Sequence, residues 1–171
     1  RGLGDVYKRQ VECLETIDIL RGKGFKIPEE AIREGLKTVI HKARMEKINE
    51  TPCIIFDGGH NESAIQNLKD NIKQYYSDKK HVYIISILQT KDHNTIIEEL
   101  SSDKEAIFYF TDGVPEKPYV AKEVLLEEAN RYIEKERIKT KSLEDAINEI
   151  TRDSIGVEVD LTIMDAASYT Q

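Results

Sequence analysis

The spacing of apolar positions switches repeatedly along this chain, and each switch marks an element. Cys53–Phe56 is a short continuous apolar run followed by Asp57, Gly58 and Gly59, which reads as a buried strand ending in a tight loop. Beyond it, Ile65, Leu68, Ile72 and Tyr75 recur at helical spacing, so one helix face is apolar, with Asn61 placed as its N-cap. His81–Leu88 is a second, nearly unbroken apolar run, the pattern of a strand covered on both faces. Asn94 then caps a short helix through Ile96, Ile97 and Leu100, and a third strand is expected at 106–111. Residues 119–135 carry Val120, Val124, Leu125, Ala129, Tyr132 and Ile133 at the spacing of a buried helix face. A short edge strand is expected near 137–139. Ser142 opens a helix that turns Ala146, Ile147 and Ile150 inward, and Val159–Met164 reads as a last strand. Strand and helix alternate from residue 52 onward. That predicts an α/β fold with a mostly parallel sheet of about five to six strands and helices on both faces.

Upstream of residue 52 the pattern is helical only. Val11–Arg21 reads as a helix with Leu14, Ile17 and Leu20 inward, ended by Gly22, Lys23 and Gly24. No Ser or Thr follows Lys23, so this is not a phosphate-binding loop. Pro28 stands at the first position of a second helix, whose apolar face holds Ala31, Ile32, Leu36 and Val39. Arg44 follows in a segment that reads as a linker. Residues 1–10 do not fit this patterning. They resemble a translated sequencing-adapter remnant and are set aside as a non-native or disordered leader.

The 171 residues suffice for one domain with a proper core. A net charge of −7, with Lys and Arg dispersed among Glu, argues against a nucleic-acid surface. No apolar run approaches the length of a membrane span. Cys13 and Cys53 lack the spacing of a zinc site or a disulfide framework, and a cytoplasmic location is expected.

Candidate chemistry concentrates at the carboxyl end of the first strand. Ligand crevices of open α/β sheets lie there, and a following helix offers free N–H groups. Asp57 can accept hydroxyl hydrogen bonds, as from a ribose, and His60 can bind an anion or pass a proton. On the pattern alone, Asp57 could equally cap the turn and His60 could be a solvated loop residue. Arg44 can clamp a phosphate across a domain cleft, or pair on the surface with Glu46 or Glu50. His93 reads as a solvated loop residue.

Asp57-Gly58-Gly59-His60-Asn61 resembles the Asp-Gly-Ala-His-Asn signature of the folylpolyglutamate synthase / dihydrofolate synthase family, in the Mur ligase superfamily. Ala43-Arg44-Met45-Glu46, just upstream, resembles that family's Gly-Arg-Phe-Glu motif, in the right order and at about the right separation. Lys91-Asp92 resembles its Asp-Lys-Asp, with Thr90 in place of the first acid. Pro118-Tyr119-Val120 replaces its Pro-Arg-Ala. Ser168-Tyr169 is all that resembles its C-terminal Gly-Ser-Leu-Tyr-like motif.

The resemblance implies a C-terminal domain, residues 44–171, of an ATP-dependent ligase that adds L-glutamate to folate or dihydropteroate through an acyl phosphate. It implies that residues 11–43 are a helical remnant of the central ATPase domain plus linker, and that the full-length enzyme is a monomer. Arg44 and Asp57 would bind ATP. His60 would be the catalytic residue and lie beside the incoming glutamate. Mg²⁺ would be held mainly by the central domain, with no metal ligand in this chain, and the chain alone would be inactive. The alternatives are another Mur-type amino-acid ligase domain, a non-catalytic nucleotide-binding α/β module, or a decayed fragment.

Overall fold

The computed structural model describes residues 4–39, 42–114, 117–153 and 159–165. Its elements, in chain order, are α1 (Gly4–Gly22), α2 (Glu29–Thr38), β1 (Glu46–Glu50), β2 (Cys53–Asp57), α3 (Glu62–Tyr75), β3 (Lys80–Ser86), α4 (His93–Leu100), β4 (Ile107–Phe110), α5 (Lys122–Ala129), β5 (Ile138–Thr140), α6 (Leu143–Asp153) and β6 (Val159–Asp165). One six-stranded sheet runs in the order β1-β2-β6-β3-β4-β5. Five strands are parallel; β1 is antiparallel to β2 at the edge. The sheet is therefore mixed, and its antiparallel edge falls where the sequence suggested a linker.

Alternation along β3 shows why both faces are covered. Tyr83 and Ile85 join Phe108 and Phe110 of β4 in a core built with Ile65, Leu68 and Ile72 of α3, Ile96, Ile97 and Leu100 of α4, and Leu125 and Ala129 of α5. Val82 and Ile84 point the other way, with Tyr109, onto Ala146 and Ile150 of α6. Asn61 caps α3 as expected, accepting from Ala64 N at 2.9 Å. Ser142 caps α6 by accepting from Asp145 N at 3.1 Å.

Four local expectations change. Helix α1 begins at Gly4 rather than Val11, because nothing between Gly4 and Gly22 interrupts a helix, so residues 4–10 of the supposed leader are helical. The cap of α4 is Asp92, which accepts from Thr95 N at 3.1 Å and from Thr95 Oγ1 at 2.8 Å. Asn94 instead accepts from Tyr132 OH at 3.2 Å. Helix α5 is confined to 122–129 because Tyr119 and Val120 are extended: Tyr119 bridges Leu88, and Val120 N donates to Ile87 O at 2.8 Å. The first two helices bury little. Ile32 is their one buried apolar side chain among the described residues, while Val11, Leu14, Ile19, Phe25 and Val39 are exposed. Ser168 and Tyr169 lie outside the described residues.

One charged cluster fastens α6 to the sheet. Glu149 accepts from Lys139 Nζ and Tyr109 OH at 2.9 and 3.1 Å, and Lys141 Nζ lies 2.5 Å from its other oxygen. Hydrogen bonds from Lys139 and then Lys141 hold the Glu149 carboxyl down at about 2. A lowered folded value stabilises the fold above the unfolded carboxyl range, and that stability is lost as pH falls toward 2. Glu149→Gln is therefore expected to cost about 1–2 kcal/mol at pH 7, after allowance for solvent screening. It should also flatten the acid side of a urea-midpoint-against-pH profile; an unchanged profile contradicts the assignment.

Candidate functional site

The end of β2 is tied to the turn before β1 by two hydrogen bonds, and a third closes its own loop. The buried Asp57 accepts from Gly59 N on Oδ1 at 2.7 Å and from Met45 N on Oδ2 at 2.8 Å. Gly58 N donates to Ala43 O at 2.9 Å. The two motifs, separated in sequence, thus form one junction. Asp57 both caps its own loop and anchors the Arg44 turn. Gly59 leaves room for this carboxylate, since a Cβ there would lie 2.9 Å from Oδ1.

Arg44 is half-buried at this junction, and its guanidinium donates to Ala43 O at 3.2 Å. Among the described residues it has no carboxylate partner. The surface ion pair considered from sequence does not form: Glu46 accepts from Ala43 N at 2.8 Å, and Glu50 pairs with Lys47 at 3.2 Å. Ala43 and Met45, on either side, have φ of 55° and 46°. Where the related motif has Gly, this chain therefore sets an Ala in a conformation that glycine adopts freely. In Ala43→Gly, relief of a left-handed penalty of about 1–2 kcal/mol offsets the added chain entropy and the lost methyl burial, together of similar size. Its stability is expected within about 0.5 kcal/mol of the parent. A loss above about 1.5 kcal/mol, normal for such a change at a right-handed buried position, contradicts the left-handed turn.

His60 follows, half-buried, with Nδ1 3.2 Å from Gly58 O. If Nδ1 donates to that carbonyl, Nε2 carries the lone pair. The ring lines an open cleft of about 370 Å³, with Asn61 and Glu62 beside it and Thr90, Lys91, Asp92 and Thr95 on the other wall. The amino ends of α3 and α4 both border this cleft, which favours an anionic or zwitterionic ligand. Lys91 has no carboxylate partner among the described residues. Sequence reasoning noted it only through a motif; its position in the loop between the carboxyl end of β3 and α4 was the signal that could have singled it out. His93 is not the solvated loop residue expected, since its Nδ1 lies 2.5 Å from Glu128 Oε2 on α5.

A larger cavity, about 430 Å³, opens at the amino end of β3, lined by His81, Tyr83, Asp103 and lysines of α3. Both ring nitrogens of His81 are engaged there, by Asp103 Oδ2 at 2.6 Å and Tyr76 O at 3.0 Å, so this histidine ties elements together and offers no free nitrogen. No three His, Cys, Asp or Glu side chains among the described residues come together as a metal site. No helix among them is long and apolar enough to cross a membrane.

Comparison with known proteins gives the chain its relatives. A family model described as Mur ligase, glutamate ligase domain, matches residues 43–158. The dihydrofolate synthase/folylpolyglutamate synthase of Bacillus subtilis is 29% identical over 89 residues, which is 52% of this chain and 21% of that protein. The folylpolyglutamate synthase of Lacticaseibacillus casei is 30% identical over 108 residues, 62% of this chain and 25% of that protein. The structure of Mycobacterium tuberculosis folylpolyglutamate synthase complexed with ADP and AMPPCP superimposes with a TM-score of 0.70 at 23% identity, over 82% of this chain and 33% of that one. The chain spans a fifth to a third of the length of these relatives.

Proposed function

We propose that this chain, which belongs to the Mur ligase family of glutamate ligase domains, is the C-terminal, glutamate-side part of an ATP-dependent ligase that joins L-glutamate to a folate or to dihydropteroate. The observation that carries the reading is the junction itself. Hydrogen bonds from Met45 to Asp57 and from Gly58 to Ala43 bring an arginine with no carboxylate partner among the described residues to a strand-end loop that opens into a cleft.

In this reading the substrate carboxylate takes the terminal phosphoryl group of ATP, giving an acyl phosphate and ADP. The glutamate amine then attacks the acyl carbon, and the tetrahedral intermediate expels phosphate. Arg44 contributes a guanidinium matched to phosphate oxygens. Asp57 holds the Arg44 turn and stands at the nucleotide ribose. His60 faces the cleft in which the amine and the acyl phosphate meet, where Nε2 can accept the amine proton. We assign magnesium and the phosphate-binding loop to the central domain of the full-length ligase. The exposed apolar side chains Val11, Leu14 and Ile19 of α1, with Phe25 and Val39 on either side of α2, support reading residues 11–43 as a remnant of that domain.

The test uses the ¹⁵N-labelled chain. Titration with ATP is expected to move the amide resonances of Arg44 and Gly58–His60. Titration with L-glutamate is expected to move those of His60 and Lys91, and His60→Ala to abolish that second response. Silence at all of these positions at millimolar ligand overturns the reading.

A further inference from the structure

The Arg44 turn holds an L-residue on either side of the arginine in the left-handed region, with φ of 55° at Ala43 and 46° at Met45. Neither is the Asn, Asp or Gly that usually tolerates it. Such a conformation persists only when surrounding bonds over-determine it, and it collects at functional sites. Here the bonds are identifiable. Asp57 Oδ2 takes the Met45 N–H at 2.8 Å, and Gly58 N donates to Ala43 O at 2.9 Å. The N–H of Ala43 is taken by Glu46 Oε2 at 2.8 Å.

Glu46 is the first residue of β1, and its carboxylate reaches back three residues to the turn instead of pairing with Arg44 two residues away. A carboxylate that accepts a backbone N–H in a part-buried turn makes a strong, directed bond. That bond engages the acid nearest to the guanidinium. Arg44 is left half-buried with no carboxylate partner among the described residues.

We propose that Glu46 is a positioning residue for Arg44: by holding the Ala43 N–H it locks the left-handed turn, so that the guanidinium is presented to an anionic ligand and is not neutralised by its own chain. This rests on the nucleotide reading given above. It separates two properties of Glu46, its charge and its reach. Glu46→Gln keeps an oxygen at the same distance and loses the charge. Glu46→Asp keeps the charge and loses the reach.

The experiment follows the ¹⁵N-labelled chain and both variants, with Glu46→Ala as a third. Amide hydrogen exchange at Ala43 is read without ligand, and the response of the Arg44 backbone amide and Nε–Hε resonances to ATP alone is read by titration. The thermal midpoint is recorded alongside. Glu46→Asp and Glu46→Ala are expected to speed Ala43 exchange at least about tenfold, the signature of a local opening. They should weaken the ATP response at Arg44 by about tenfold, the equivalent of one lost hydrogen bond. Glu46→Gln should stay within about threefold of the parent in both, since an amide oxygen still accepts the Ala43 N–H. If Glu46→Asp behaves as the parent while Glu46→Gln does not, charge and not positioning is at work, and the proposal is overturned. It is overturned alone if the parent responds to ATP and all variants respond alike. If the parent itself shows no response at Arg44 or Gly58–His60, the nucleotide reading falls and takes the proposal with it.

Discussion

Asp57→Asn is expected to destabilise the chain by about 2–4 kcal/mol, although the two side chains have nearly the same shape. The reason is the pairing of donors. Met45 N and Gly59 N approach different oxygens of Asp57, at 2.8 and 2.7 Å. Asparagine has one oxygen, so one backbone donor must face an NH₂ group. Asp57 is only 6% exposed, so water cannot easily replace the lost acceptor. A buried donor left unsatisfied costs about 1–3 kcal/mol, and the surviving bond loses its charge assistance. Urea denaturation reads the total, and the amide resonances of Met45 and Gly59 locate it. Unchanged stability, or a loss spread evenly over the sheet, contradicts the view that Asp57 ties the two motifs together.

The second large effect is expected at Gly113, in the loop after β4. Its φ is 69°, and a Cβ built there would lie 2.5 Å from the Tyr119 ring. Gly113→Ala thus meets a left-handed penalty of about 1–2 kcal/mol and a forced shift of a packed ring worth about 1–3 kcal/mol. The sum is a loss of about 2–5 kcal/mol. Tyr119 cannot retreat freely. It is buried, its backbone bridges Leu88, and its carbonyl accepts from Gln89 Nε2 at 3.0 Å. Gln89 opens the loop that carries Lys91 and Asp92 to the cleft, so the same change should disturb the resonances of that wall. In a Tyr119→Ala background the clash disappears, and Gly113→Ala should cost only its backbone share, about 1–2 kcal/mol. Equal costs in both backgrounds contradict the ring contact.

What the sequence reveals depends on whether a feature is local. The strands at Cys53, His81 and Ile107 are legible because each is apolar on both faces, and the helix after Asn61 because its cap and its apolar stripe agree. Strand β1 is not legible: Glu46, Lys47, Ile48, Asn49 and Glu50 hold one apolar residue, and an exposed edge strand is defined by its partner rather than by burial. The place of β6 between β2 and β3 is a long-range pairing that no periodicity reports.

The candidate site divides in the same way. Asp57 and His60 stand out because strand, acid, glycines and helix cap are contiguous. The bond from Met45 to Asp57 spans twelve residues. The turn that makes it uses Ala43 and Met45 where glycine would have signalled positive φ. His93 looked solvated because its partner, Glu128, lies 35 residues away on another helix.

The most direct measurement is ligation by the enzyme assembled from the native reading frame that contains this chain. ADP and the glutamate amide (extended folate from folate, dihydrofolate from dihydropteroate) should both form only when ATP, L-glutamate and the pterin acid are present. His60→Ala should lower kcat by about a hundredfold or more, the share expected of a proton-transfer group. The isolated chain should form neither product. Product from the isolated chain, no glutamate transfer by the assembled enzyme, or an undiminished rate in His60→Ala would contradict the account.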